Sequence, residues 1–214
     1  MKILAIGAHH DDIEISCGGT IAKAVRNGDE VKMVVMSSSV YTDYKGKVHR
    51  TKEEVERENK MAVEILGVKE VVSLDFPTKD IPYNSTSIEA LNSVIDEFEP
   101  DMILTHWCHD THPAHKNTSL ATISAARYYN SILMYEPMMP SGRSYQGFRP
   151  QVYVDITDFD DIKRKALMAH ESQYKKYKKD LWVNAVEARA RYRGYEMSSK
   201  YAECYEIVRM EWKL

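Results

Sequence analysis

The sequence predicts an α/β fold, a Rossmann-like three-layer sandwich around a mainly parallel sheet, with a C-terminal helical and strand elaboration. Three observations predict it. Short apolar runs such as Lys2–Gly7 read as strands buried on both faces. Segments with helical periodicity separate them, and the two kinds alternate through the first two thirds of the chain. Glycine and proline fall at the joints, as at Gly28, Gly67 and Pro100.

Taken in order, Lys2–Gly7 is the first strand, and Gly18-Gly19-Thr20 opens a helix over 20–27 that Gly28 closes. Val31–Met36 is the second strand, followed by a polar loop from Ser37 to Arg50. A long helix over 51–66 has apolar positions Val55, Met61, Ala62, Ile65 and Leu66 and stops at Gly67. Val71–Leu74 is a third strand. Ser87–Phe98 is a helix with Ile88, Leu91, Val94, Ile95 and Phe98 on one face, ended by Pro100. Met102–Thr105 is the fourth strand, a histidine-rich loop follows, and then a helix over 116–129 and a strand over 132–135. Beyond Pro137 the regularity fades. Residues 152–156 read as a strand, 158–177 as a helix, and the chain after Leu181 as a helix and a closing strand over 204–210.

A length of 214 residues suits one domain over 1–214 with a substantial core. The net charge of -3 supplies no basic field for nucleic acid, and the Lys163–Lys179 cluster, interleaved with acidic and aromatic residues, reads as a solvated helical face. Three scattered cysteines, Cys17, Cys108 and Cys204, form no disulfide framework or CxxC pair and point to a reducing compartment. The first apolar run is too short for a signal-peptide core, and no stretch approaches a membrane span, so a cytoplasmic location is expected.

The chemistry gathers at two strand ends, where ligands bind in open parallel sheets. The first strand ends in Ala8-His9-His10-Asp11-Asp12-Ile13-Glu14, the fourth in His106-Trp107-Cys108-His109-Asp110-Thr111-His112-Pro113-Ala114-His115. A single histidine there is more often a hydrogen-bonded loop residue, and paired aspartates are often turn formers. Two such clusters at one sheet edge favour a metal site instead. Catalytic zinc takes three ligands from histidine and carboxylate and keeps one position open. One tight turn can aim His9 and Asp12 at a single ion, with a histidine of the second cluster completing the set. Asp11, left over, can accept a proton from water, and a second histidine can serve an oxyanion or leaving nitrogen. By spacing alone, the pair His106 and His109 competes for these roles with His112 and His115.

The first motif, followed by Gly18-Gly19-Thr20-Ile21-Ala22-Lys23 and Gly28-Asp29-Glu30-Val31, resembles that of the PIG-L/LmbE-type deacetylases. The later His112-Pro113-Ala114-His115 resembles their HPDH motif, and shorter matches at Leu66-Gly67, 154–157, 170–173 and 201–203 extend the likeness over nearly the whole chain. The resemblance implies one zinc ion per chain held by His9, Asp12 and His115, although this donor set also suits other divalent metals. It implies Asp11 as general base and His112 as the residue that stabilises the oxyanion and protonates the amine. It also implies removal of an acyl group, N-acetyl above all, from an amino sugar, including nucleotide- or lipid-linked forms, and assembly as a trimer or hexamer. A zinc amidase or deformylase acting on another substrate is the nearest alternative. A non-catalytic Rossmann-like binding module is a further one, disfavoured because no GxGxxG follows the first strand.

Three departures stand out. His10 occupies a place usually held by proline. Ala114 replaces the aspartate that steadies the neighbouring histidine, and Asp110 is the candidate substitute for holding His112. A family arginine that contacts substrate falls at Val55, leaving Arg50 or Arg57 to serve, with Arg50 nearer the strand ends. Met138 and Met139 read as a loop bordering the site, Arg189 as a substrate neighbour or a surface ion pair, and Trp107 and Cys108 as packing. Tyr174, Tyr177, Tyr192, Tyr195 and Tyr201 are candidate sugar platforms or partly buried packing residues.

Overall fold

The computed structural model describes residues 1–212; the last two positions of the expected 1–214 domain lie outside the described residues. The chain runs β1 (Lys2–Gly7), α1 (Asp12–Arg26), β2 (Glu30–Ser37), β3 (Tyr41–Thr42), β4 (Val48–Arg50), α2 (Lys52–Leu66), β5 (Glu70–Phe76) and α3 (Ser85–Phe98). It continues with β6 (Met102–Thr105), α4 (Pro113–Ala125), β7 (Ile132–Tyr135), β8 (Val152–Asp155), α5 (Asp160–Ala169), α6 (Glu171–Lys176), α7 (Asp180–Glu196) and β9 (Ala202–Arg209).

Seven strands form one sheet in the order β5-β2-β1-β6-β7-β9-β8. The first five of these are parallel, and β9 lies antiparallel between β7 and β8. Alternation along β1 builds both core layers. Ile3 and Ala5 pack with Ile13, Ile21 and Leu66 on one face, whereas Leu4, Ile6 and Ala8 pack with Leu91, Ile95 and Ala121 on the other. The expected three-layer sandwich is therefore present, and the C-terminal elaboration extends its sheet. Among the described residues no helix is long and apolar enough to cross a membrane.

Local chemistry accounts for both ends of α2. Thr51 caps α2 through a reciprocal pair, Glu54 N–H to its hydroxyl at 3.2 Å and its own N–H to the Glu54 carboxylate at 2.8 Å. Gly67 closes the same helix at φ 78°, a left-handed conformation that favours glycine. Three boundaries differ from the sequence expectation. Helix α1 begins at Asp12, not Thr20, and bends at Cys17, whose φ of -139° interrupts the helix; the Gly18-Gly19 pair lies inside it. The polar 37–50 segment contains the hairpin β3–β4, and the helix expected over 158–177 is broken at His170.

This topology positions the site. From β1 the chain moves outward to β2 and β5, then returns to β6 on the other side of β1. The order reverses between β1 and β6, so their carboxyl ends flank a crevice. Both histidine-rich loops leave from those two ends.

Candidate active site

Because α1 starts immediately after the first motif, Asp12 is its first residue and Asp11 precedes it. On the opposite wall, His112 precedes α4, Pro113 occupies the first turn, where its missing N–H costs nothing, and His115 follows on the same turn. Asp12 lies between the two walls. Its Oδ2 is 3.3 Å from His9 Nδ1, and its Oδ1 is 3.4 Å from His115 Nε2. Donor atoms of His9, Asp12 and His115 all lie within 4.8 Å of one another.

Hydrogen bonds leave the right lone pairs facing inward. His9 Nε2 lies 3.3 Å from the Thr78 carbonyl, which can only accept, so the proton belongs on Nε2 and Nδ1 keeps its lone pair. His115 Nδ1 lies 3.0 Å from Asp110 Oδ2, which orients the ring and turns the Nε2 lone pair toward Asp12. Despite burial, the His115 and His106 rings hold Asp12 well below the usual carboxylate range. Against desolvation, Asp12 and Asp110 raise His115 to about 10 in the metal-free protein. Two neutralisable imidazoles, one firmly ionised carboxylate and an open side fit a divalent cation with one position left for water or substrate. A second trio, His106, Asp110 and His115, also lies close together. It is less suited, because the side chains of His106 and Asp110 are only 4% and 1% exposed.

Asp11 is buried beside the trio, and its side chain makes no hydrogen bond among the described residues. Burial and the adjacent Asp12 raise it to about 6, close to neutrality. His112 stands at the open edge, its ring stacked 4.4 Å from His115 and 5.3 Å from His9. Desolvation and the two neighbouring rings lower it to about 4, so it is neutral at physiological pH.

The two histidine pairs differ in where their rings lie. His112 and His115 face His9, while His109 packs edge-on against Trp107 and Tyr145. His106 has a role that spacing did not indicate: its Nε2 lies 3.0 Å from the Ala8 N–H and 3.1 Å from Asp12 Oδ2, and its ring stacks 4.2 Å from His115. Only its place at the very end of β6, beside β1, hinted at this.

Asp110 does stand in for the missing aspartate, but differently from the expectation. Its Oδ1 accepts the His112 backbone N–H at 2.7 Å and its Oδ2 meets the His115 ring, so it steadies the His115 ring and not the His112 ring. Ser141 Oγ donates to the same Oδ2 at 3.1 Å, tying in the loop that follows Met138 and Met139. His10 uses the N–H a proline would lack: it donates to Ser39 Oγ at 2.9 Å, and its Nδ1 lies 2.8 Å from the same oxygen.

Arg50, expected at the substrate, is placed behind the loop. It is 2% exposed, and its guanidinium meets the His10 carbonyl, Glu58 and His170 at 2.9, 2.9 and 3.1 Å. Glu58 is held in turn by the N–H and hydroxyl of Ser172. Arg57 is exposed beside Glu171. Arg189 donates to the backbone carbonyls of Ile15 and Glu136 and forms no ion pair among the described residues.

Comparison with known proteins gives this geometry a context. The family model described as GlcNAc-PI de-N-acetylase matches residues 4–126, more than half of the chain and both motifs. The chain is 29% identical to a diacetylchitobiose deacetylase of Thermococcus kodakarensis, over 97% of this chain and 83% of that protein. The structure of N,N'-diacetylchitobiose deacetylase from Pyrococcus horikoshii with an inhibitor superposes with a TM-score of 0.80 at 25% identity, covering 97% of this chain and 84% of that one. A 4-carboxy-2-hydroxymuconate hydratase from Pseudomonas putida KT2440 superposes at 0.81 with 20% identity over 100% and 99% of the two chains. That likeness concerns the fold alone, which evidently carries more than one chemistry.

Proposed function

Because the chain belongs to the PIG-L family of de-N-acetylases, we propose that it hydrolyses the N-acetyl group of an amino sugar or amino-sugar conjugate, with zinc at His9, Asp12 and His115. One observation carries the reading. Three donors with inward lone pairs surround one point, and a buried carboxylate near neutrality stands beside them.

A metal bound there supplies Lewis acidity, which acidifies water and polarises an amide carbonyl. The protein's own groups do the rest. Asp11, about half ionised near pH 6, takes a proton from the attacking water as the new C–O bond forms. His112, neutral at working pH, donates an N–H hydrogen bond to the oxygen that gains charge. The C–N bond then breaks, and the amine nitrogen receives the proton that Asp11 had taken. In the metal-free protein the His112 ring, lowered to about 4, carries no spare proton, whereas a carboxyl raised to about 6 can both accept and return one, which supports Asp11 as the group that returns the proton. Acetate and a free amine leave.

The test is release of primary amine from N-acetylglucosamine and N,N'-diacetylchitobiose, with and without a chelator. The expected result is turnover that stops on chelation and returns with zinc, and that Asp11→Asn abolishes without loss of the metal. Metal-replete protein that releases no amine from N-acetyl or N-formyl sugars would remove this reading. Hydration of an unsaturated acid in the same assay series would put a hydratase in its place.

A further inference from the structure

Three segments grip the first motif loop from outside, and each carries a member of a second cluster. Ser39, which holds His10, is followed closely by Tyr41 in β3. Thr78, whose carbonyl meets His9, is followed by Lys79. His170, which meets Arg50, precedes α6, and that helix ends at Lys176 beside Tyr177. The three ends converge. The ammonium groups of Lys79 and Lys176 lie 5.0 and 4.9 Å from the centre of the Tyr41 ring, and Lys176 is also 4.8 Å from that of Tyr177.

Neither ammonium on this rim is ion-paired among the described residues. Lys79 donates to the Thr42 carbonyl, and neither lysine has a carboxylate within 4.0 Å among the described residues. Their neighbour Lys175, by contrast, pairs with Glu171 at 2.7 Å. Tyrosine faces attract an ammonium but leave its full charge in place. The rim also lies within electrostatic reach of the reacting centre. Burial lowers Lys176 while Asp11 opposes that, and burial together with Asp11 and Asp12 raises Tyr177. Lys176 also borders a groove lined by Glu54, Glu58 and Glu171 together with Lys47, Arg57 and Lys175. Arg57 and Lys175 pair there with Glu58 and Glu171, whereas the Tyr41 side of Lys176 carries a second ammonium, that of Lys79, and no carboxylate pairs with either among the described residues.

We propose that Tyr41, Lys79 and Lys176 form a subsite for an anionic substituent, a phosphate or a carboxylate, carried by the amino sugar whose acetamide is cleaved. The preferred substrate is then an acidic sugar conjugate, an inference that rests on the deacetylase reading above. A neutral sugar gains nothing from two unpaired ammonium groups, whereas an anion seated between them neutralises both and offsets its repulsion by Asp11 and Asp12. Tyr177, 43% exposed beside Lys176, leaves ring surface for the sugar's C–H face.

Titration calorimetry on the metal-loaded protein tests this with three amines: glucosamine, glucosamine 6-phosphate and muramic acid, which carries a carboxylate. At about 50 mM salt one of the acidic amines should bind about tenfold tighter than glucosamine, roughly threefold for each lysine. The tighter of the two identifies the anion as phosphate or carboxylate. At about 500 mM salt the preference should shrink to about twofold, because the screening length falls below the separation of exposed charges. Lys79→Gln with Lys176→Gln retains the stems over the tyrosine rings and should abolish the preference while leaving glucosamine affinity within about twofold. Equal affinity for the three amines, binding of none of them, or a preference that survives the double substitution would each overturn the proposal. Binding of an amine needs no turnover, so an intact preference without amine release from any N-acetyl sugar would remove the reaction and leave the anion subsite.

Discussion

Asp110 offers the sharpest test of the metal site, because its carboxylate touches no proposed substrate atom and acts on a ligand from behind. Its Oδ2 meets His115 Nδ1 at 3.0 Å, its Oδ1 accepts the His112 N–H at 2.7 Å, and its side chain is 1% exposed. Asp110→Asn keeps the shape but can turn an N–H toward Nδ1, which moves the ring proton to Nε2, the atom that must present a lone pair. Substitutions behind a ligand of this kind cost about 10- to 100-fold in metal affinity. Proton competition works in the opposite direction. With His115 raised to about 10, a metal entering at about pH 7.5 must displace a proton held about 2.5 units above ambient, a cost of about 3 kcal/mol. Removing the negative charge of Asp110 lowers His115 and relieves part of that cost. The net loss in Asp110→Asn is therefore smaller at neutral pH than at pH 8.5, and the two slopes diverge. Zinc competition against a chromophoric chelator between about pH 6 and 8.5 should show wild-type log affinity rising by about one per pH unit, from the His115 proton alone, and a flatter line for the variant. Calorimetry in buffers of different ionisation enthalpy should show that proton leaving the wild type and a smaller release from the variant. Equal affinity and equal slope in the two proteins would refute the assignment of His115 as a ligand steadied by Asp110.

The other groups give predictions of their own. Asp11→Asn should abolish turnover, retain metal and stabilise the metal-free protein above about pH 6. An acid raised to about 6 in the fold adds stability below the unfolded value, and that contribution is lost as pH rises through 6; the penalty is at most about 3 kcal/mol, or roughly 7 °C in Tm, by scanning calorimetry at pH 8. In the metal-loaded protein the cation on the adjacent Asp12 lowers Asp11 from its metal-free value of about 6, so log kcat/KM should climb with unit slope on an acid limb centred below about pH 6 and level off above it; a profile with no acid limb down to about pH 4 would exclude Asp11 as the base. Arg50→Ala leaves Glu58 buried without its cation and the His10 carbonyl without its donor, and should cost about 3–5 kcal/mol in urea unfolding. An exposed substrate-contacting arginine would instead change KM with little effect on stability. Gly19→Ala would set a Cβ 2.7 Å from Ile156 Cδ1 and should cost about 1–3 kcal/mol, with metal affinity unchanged within about twofold.

The contrast between Arg50 and the proposed metal trio shows what the chain makes legible. Strands β1, β6 and β7 are continuous apolar runs, and α2 and α3 carry caps and stripes, so local pattern alone located them. The hairpin β3–β4 escaped notice because strands of two and three residues hold no period long enough to read. The Gly18-Gly19 pair reads as opening a helix at Thr20, eight residues after α1 begins, because what Gly19 serves is close approach to Ile156 and Glu203, partners far along the chain. The same distinction runs through the site. His9 and Asp12 sit in one turn and the His112–His115 pair sits in another; spacing points to both clusters but leaves His106 and His109 in competition, and the resemblance to the HPDH motif is what selects the second pair. What orients them comes from elsewhere: Thr78 lies 69 residues from His9, Ser39 lies 29 from His10, and His170 lies 120 from Arg50. No spacing rule reaches across such separations. An arginine near a motif is therefore ambiguous between holding substrate and holding the loop, and burial decides it. At 2% exposure, with three partners on its guanidinium, Arg50 stabilises the motif loop, and the cations left to meet a ligand are the ones the fold leaves unpaired at the rim.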